Sequence, residues 1–282
     1  MTVETRLPEE WTEGFVEVDD GVRLHYARTG GDGPPLVVAH GVFDDGLARI
    51  PLARDLEDEY DVVLYDARGH GQSDAPESGY GADDRAADLV GLLDELGIEN
   101  PLLLGHSMGG DTVLATAANY PDRPRAVVAV DPAGLLAHNR DNRGDDGLDE
   151  EEIEGVREQV LWWHDHSKAE LLEADDELAG HVEAGQEELA SLLADARLRV
   201  SANITEVFRS GWADPADYYS DIDAPTLVLR ADVDEQARER DRESADLIPD
   251  GRLVHVDDAG HCVFRDQRSV ATDEVRSFLA GR

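Results

Sequence analysis

Cysteine and lysine are almost missing from this 282-residue chain: Cys262 stands alone, Lys168 is the one lysine, and the other basic residues are arginines. A single cysteine excludes an intramolecular disulfide and a multi-cysteine metal site. No apolar run approaches the roughly 18 residues of a spanning helix, and the first ten residues lack a basic, then apolar, export pattern. The expectation is a soluble, cytoplasmic protein. Positive charge is scarce: 64 acidic residues face 25 basic ones, for a formal net charge of −39. Such a balance repels nucleic-acid phosphates and anionic lipid, so neither nucleic acid nor membrane is expected as a partner, and a small-molecule substrate is.

The acids are spread through helices and loops instead of forming a block. At molar salt the Debye length falls to about 3 Å and their mutual repulsion largely vanishes. With lysine nearly absent, this composition resembles that of proteins from salt-in halophiles, of halophilic-archaeon character.

What is present is 41% apolar residues, enough at this length for one large core. Short β-branched or leucine runs recur at 15–18, 22–27, 36–39, 62–65, 102–104, 126–130, 226–229 and 253–256. Several are apolar on both faces, as buried parallel strands are. Between the fourth and fifth, Leu89, Leu92, Leu93 and Leu96 recur at helical spacing and Gly97 follows as a C-terminal cap, completing one βαβ unit. Helices are read over 108–119, 235–247 and 269–280. The strand rhythm stops over residues 133–219, where helical stretches at 150–165 and 168–202 take over. This divides the chain into a first core part (1–132), an inserted helical cap (133–219) and a second core part (220–282). The cap entrance, 138–149, rich in Asp, Asn, Gly and Arg, is read as the most mobile part of the molecule.

The strongest local signal is Gly105-His106-Ser107-Met108-Gly109, a G-x-S-x-G pattern between an apolar strand and a helix. A sharp strand-to-helix turn lifts the serine hydroxyl above the sheet, glycines avoid collisions with neighbouring backbone, and the helix N-terminus offers amides where an oxyanion would develop. A serine nucleophile needs a base with a pKa near 7 and an acid to orient it. Among ten histidines, His261 follows the last strand directly, at the sheet edge where open α/β sheets gather active groups. His25 and His255 fall inside strands. His164 and His166 flank Asp165 without metal-binding geometry, so no metal site is assigned. For the acid, Asp232 and Asp234 follow the buried strand at 226–229.

These segments together resemble the α/β-hydrolase superfamily. His40-Gly41-Val42-Phe43 looks like its His-Gly loop, Asp66-Ala67-Arg68-Gly69-His70-Gly71-Gln72-Ser73 like its loop after the fourth strand, and residues 105–109 like its nucleophile elbow. The resemblance implies a mostly parallel eight-stranded sheet with helices on both faces and an inserted helical cap. It implies Ser107 as nucleophile, His261 as base, Asp234 as orienting acid and the Val42 and Met108 amides as the oxyanion hole. Asp232 is a rival acid, and so is Asp131, because some branches place the acid after the sixth strand. Arg68 and His70 are read as structural. Serine at the elbow, where haloalkane dehalogenases and epoxide hydrolases of this fold carry aspartate, implies acyl-enzyme chemistry without cofactor or metal. A small carboxylic ester is the expected substrate, in the manner of a carboxylesterase. A small amide (deformylase-like), a lactone, a C–C bond, or a slow-turnover receptor role are the alternatives. Phe43, Trp162, Trp163, Phe208 and Trp212 are the candidate pocket aromatics.

Overall fold

The computed structural model describes residues 7–18, 21–141 and 148–282. Eight strands, β1 (Thr12–Glu17), β2 (Arg23–Arg28), β3 (Pro35–Ala39), β4 (Asp61–Tyr65), β5 (Leu102–His106), β6 (Ala126–Val130), β7 (Thr226–Arg230) and β8 (Gly251–His255), form one sheet. Their order is β1-β2-β4-β3-β5-β6-β7-β8. Only the β1–β2 and β2–β4 pairings are antiparallel; the others run parallel. All eight expected strands exist, and the mostly parallel sheet is the expected one.

Strand side chains alternate between two apolar layers, as a period of two requires. Leu36, Val38, Leu102, Leu104 and Val128 pack with α1 (Ile50–Leu56) and α13 (Arg268–Leu279). Val37, Val63, Leu103 and Val127 face the other way, onto α2 (Ala82–Glu95) and α3 (Met108–Asn119). Burial of both faces explains why these strands read as unbroken apolar runs. Gly97 ends the turn after α2 at φ +63°, a conformation glycine adopts without a Cβ penalty.

Between β6 and β7 the described residues form helices and no strand: α4 (Ala133–Asp141), α5 (Glu150–His164), α6 (Lys168–Ala174), α7 (Asp176–Glu183), α8 (Glu187–Arg199), α9 (Thr205–Ser210) and α10 (Pro215–Tyr218). The stretch read as helical at 168–202 is divided into three helices. Asp175 accepts hydrogen bonds from the Glu177 and Leu178 amides and starts α7, and Gly185 at φ +75° turns the chain before α8. Of the entrance read as mobile, 142–147 lies outside the described residues. After β7 come α11 (Glu235–Ala245), β8, α12 (Val263–Asp266) and α13. The helical stretch meets the core through ion pairs and rings. Arg199 reaches the buried Asp45 at 2.6 Å, and Trp163 meets Phe43 edge-on with centroids 5.4 Å apart. Among the described residues no helix is long and apolar enough to cross a membrane.

Candidate active site

The carboxyl ends of β3, β5, β6 and β8 converge, as expected for a parallel sheet whose loops collect on one edge. β5 ends in His106, the chain turns sharply at Ser107 (φ +54°, ψ −116°), and α3 begins at Met108. A non-glycine residue held there is strained, and the surroundings hold it. The Ser107 amide donates to the Val130 carbonyl, and its own carbonyl accepts from the Asp111 and Ala133 amides. The glycines on either side are obligatory. A Cβ on Gly105 would lie 2.0 Å from the Gly109 carbonyl oxygen, and one on Gly109 would lie 2.2 Å from that of Ala39.

His261 lies in the loop between β8 and α12. Its Nε2 is 3.0 Å from Ser107 Oγ and its Nδ1 is 2.6 Å from Asp131 Oδ2. A carboxylate only accepts, so Nδ1 carries the proton and Nε2 is left to accept from the serine hydroxyl. Asp131 follows β6 with φ +44°, and its second oxygen, Oδ1, accepts from the Ala231 amide at 3.0 Å and from Arg230. Burial would raise this carboxyl's pKa. The hydrogen bond from His261 and the Arg230 charge outweigh burial and hold it below its ordinary range.

The expected orienting acid, Asp234, is corrected by this geometry. Asp234 caps α11, accepting from the Ala237 amide at 2.8 Å. The rival Asp232 binds Arg238 at 2.7 Å and the Asp258 amide at 3.1 Å. Neither is bonded to His261; Asp131 is. Two signals in the sequence point the same way. An aspartate immediately before a helical run is an N-cap. An arginine ending an otherwise apolar buried strand needs a buried carboxylate beside it, and Asp131 follows Val130, the neighbour of Leu229 across the β6–β7 ladder.

The His-Gly loop closes over the serine: a Cβ on Gly41 would stand 3.6 Å from Ser107 Cβ. Val42 is the next residue, and Met108, as the first residue of α3, has an amide with no acceptor inside its own helix. His40 donates through Nδ1 to the Gly41 carbonyl and accepts the Ala67 amide on Nε2; burial pushes its pKa down to about 4, so the ring stays neutral. Both nitrogens of His70 face carbonyls, Val42 O at 2.7 Å and Arg68 O at 2.9 Å. Arg68 pairs with the buried Asp88. His70 thus braces the backbone of two loops, and Arg68 ties its loop to α2.

The aromatic candidates separate into groups. Phe43 and Trp163 meet beside the His-Gly loop, and Trp163 is further held by its Nε1 donating to Asp175 and by Arg197 over its ring. Trp162 packs on His166. Phe208 and Trp212 meet edge-on and line a cleft of about 280 Å³ with Gly134, Ala137 and Leu148, bordered by none of Ser107, Asp131 or His261. A cleft of about 430 Å³ opens beside His261, between Cys262 and Arg265 on one side and Glu177, Gly180 and His181 on the other. Cys262 is partly buried, and burial raises its thiol pKa, which removes thiolate character. Among the described residues no group of three or more His, Cys, Asp or Glu side chains could hold a metal ion.

Known proteins resemble the chain over most of its length. It is 29% identical over 272 residues to the 2-(acetamidomethylene)succinate hydrolase of Mesorhizobium japonicum, covering 93% of this chain and 94% of that protein. It is 28% identical over 255 residues to the N-formylmaleamate deformylase of Pseudomonas putida, covering 86% and 88%. The crystal structure of E-2-(acetamidomethylene)succinate hydrolase superposes with a TM-score of 0.71 at 26% identity, over 96% of this chain and all of that one. The esterase from Exiguobacterium antarcticum shares the fold, with a TM-score of 0.74 at 24% identity over 95% and 99%. Residues 34–176, which carry the His-Gly loop, the serine turn and Asp131, match the alpha/beta hydrolase fold family, and the chain belongs to it.

Proposed function

We propose that the chain is a serine hydrolase in which Ser107 is the nucleophile, His261 the general base and then acid, and Asp131 the orienting carboxylate, acting on a small carboxylic ester. The single observation that carries this reading is the continuous line from Ser107 Oγ to His261 Nε2 at 3.0 Å and from His261 Nδ1 to Asp131 at 2.6 Å. His261 Nε2 takes the serine proton as Oγ attacks the acyl carbon, and the Val42 and Met108 amides receive the developing oxyanion. The same nitrogen returns the proton to the leaving alkoxide. Water, deprotonated by His261, then cleaves the acyl-serine and releases the acid. Helices from 133–219 act as a cap, which Trp163 joins to the His-Gly loop through Phe43.

A second reading, cleavage of a small N-acyl amide, is favoured by the two relatives whose names carry acetamido and N-formyl groups. The composition supports operation at molar salt. The test is labelling by a fluorophosphonate in molar KCl, followed by a panel of matched esters and N-acyl amides with Ser107→Ala as control. Covalent label on Ser107 and loss of turnover in Ser107→Ala are expected. Label elsewhere, or none on folded protein, defeats the reading, and faster amide than ester turnover selects the second.

A further inference from the structure

His261 is held at its side chain by Ser107 and Asp131, but a base also needs a fixed main chain. Its carbonyl oxygen accepts a hydrogen bond at 2.8 Å from Nε2 of His106, the residue directly before the nucleophile. A carbonyl only accepts, so His106 Nε2 carries the proton. Its Nδ1 must then accept, and it faces Arg49 Nη2 at 2.9 Å, a group that only donates. Arg49 is in turn held by Asp44 Oδ2 at 2.5 Å. The other oxygen of Asp44 takes Arg265 Nη2 at 2.5 Å, and Arg265 sits four residues after His261 in α12. Arg265 also reaches Glu177 of α7 at 2.7 Å. Asp44, Arg49 and His106 are all buried.

Building on the serine-hydrolase reading, we propose that Asp44, Arg49, His106 and Arg265 form a positioning frame that closes a ring through the His-Gly loop, the serine turn and the base loop, and sets where His261 stands relative to Ser107. Each partner fixes the next. Arg49 selects the His106 tautomer, that tautomer offers its one N–H to the His261 carbonyl, and Arg265 ties the far side of the base loop to the same carboxylate. Burial first, then the Arg49 charge, keep His106 neutral, which the accepting Nδ1 requires. The frame acts through His261.

The experiment is the second-order rate of Ser107 phosphonylation by a fluorophosphonate in molar KCl, with melting followed by circular dichroism. His106→Leu should slow labelling by about ten- to a hundredfold in protein that circular dichroism shows to be folded at the assay temperature, while His106→Gln, which keeps an N–H for the carbonyl, recovers to within about threefold of wild type. Arg49→Met frees the His106 tautomer and should match His106→Leu, with the double variant no slower than either, because both act through one chain of contacts. Wild-type rates in His106→Leu and Arg49→Met, or a glutamine variant as slow as the leucine one, overturn the frame. Should these variants not fold, ¹⁵N resonances of the wild-type imidazoles decide: the frame requires the Nε2–H tautomer at His106, and an Nδ1–H ring or an imidazolium at neutral pH overturns it. Failure of the wild type itself to label at Ser107 defeats the hydrolase reading instead, an outcome distinct from unaffected variants.

Discussion

Two loops leave the sheet side by side, and each carries aspartate just past a buried parallel strand. The loop after β6 presents Asp131; the loop after β7 presents Asp232 and Asp234. At Asp131 the backbone turns at φ +44°, the side chain is almost fully buried, and its oxygens are shared among Arg230, the Ala231 amide and His261. At Asp232 and Asp234 the side chains stay exposed and are taken by Arg238, the Asp258 amide and the first turn of α11. The difference teaches that position after a strand does not make a carboxylate an orienting acid. What matters is whether local donors claim it first. A helix that begins at once, as α11 does, uses its preceding aspartate as a cap, whereas the tight turn into Pro132 leaves Asp131 free to face the base.

The largest expected effect sharpens this contrast. Asp131→Asn should lower the turnover number by about 10⁴, because asparagine supports the wrong imidazole tautomer and offers the imidazolium no charge. Asp234→Asn should leave turnover within a few-fold of wild type, measured on whichever ester the panel selects. Equal losses in the two variants would break the comparison.

Next comes the arginine behind the acid. Arg230 bridges Asp131 and Asp241 with its side chain 2% exposed. Arg230→Met leaves two buried carboxylates without their cation, and urea unfolding in molar KCl should show a loss of about 3–5 kcal/mol. A loss below 1 kcal/mol would mean that Asp131 does not depend on it.

A smaller effect is tied to pH. The Asp131 carboxyl is depressed below the ordinary 3.8, so its contribution to stability is fully present above that value and disappears as pH falls through the lower, folded value. The unfolding free energies of wild type and Asp131→Asn should therefore differ by a constant above about pH 5 and draw together below about pH 4. A gap unchanged down to pH 2 would contradict the assigned ionisation.

The smallest effect belongs to the other loop. Asp234→Ala removes one helix cap and should cost about 1 kcal/mol of stability with turnover untouched. A catalytic loss in that variant with the fold intact would restore Asp234 as a candidate for the acid.

Much of the molecule was legible because its signals are local. Buried parallel strands need apolar residues on both faces, so eight short runs located the sheet, although β1 begins at Thr12, three residues before its apolar run, where the pattern is polar and exposed. The turn at 105–109 was legible because its G-x-S-x-G spacing lies between an apolar run and a helical one, and locally only glycine at 105 fits beside the Gly109 carbonyl. The helical stretch was harder. Over 168–202 the acid-rich pattern stays helical in period, and the breaks depend on Asp175 finding amides to cap and on Gly185 turning into positive φ.

The sequence by itself determined the sheet, the serine turn and the histidine after the last strand, since each rests on contacts between residues near one another in the chain or on a strict periodicity. Only the tertiary structure decided which aspartate meets His261 and what steadies it. Asp131 and His261 are 130 residues apart, and His106 and His261 are 155 apart. Three aspartates that stand alike in the sequence, each just past a buried strand, compete for one imidazole, and the choice turns on side-chain distances of about 3 Å. Distances that small are set when β6, β7 and β8 pack in register, not by any local feature of the chain.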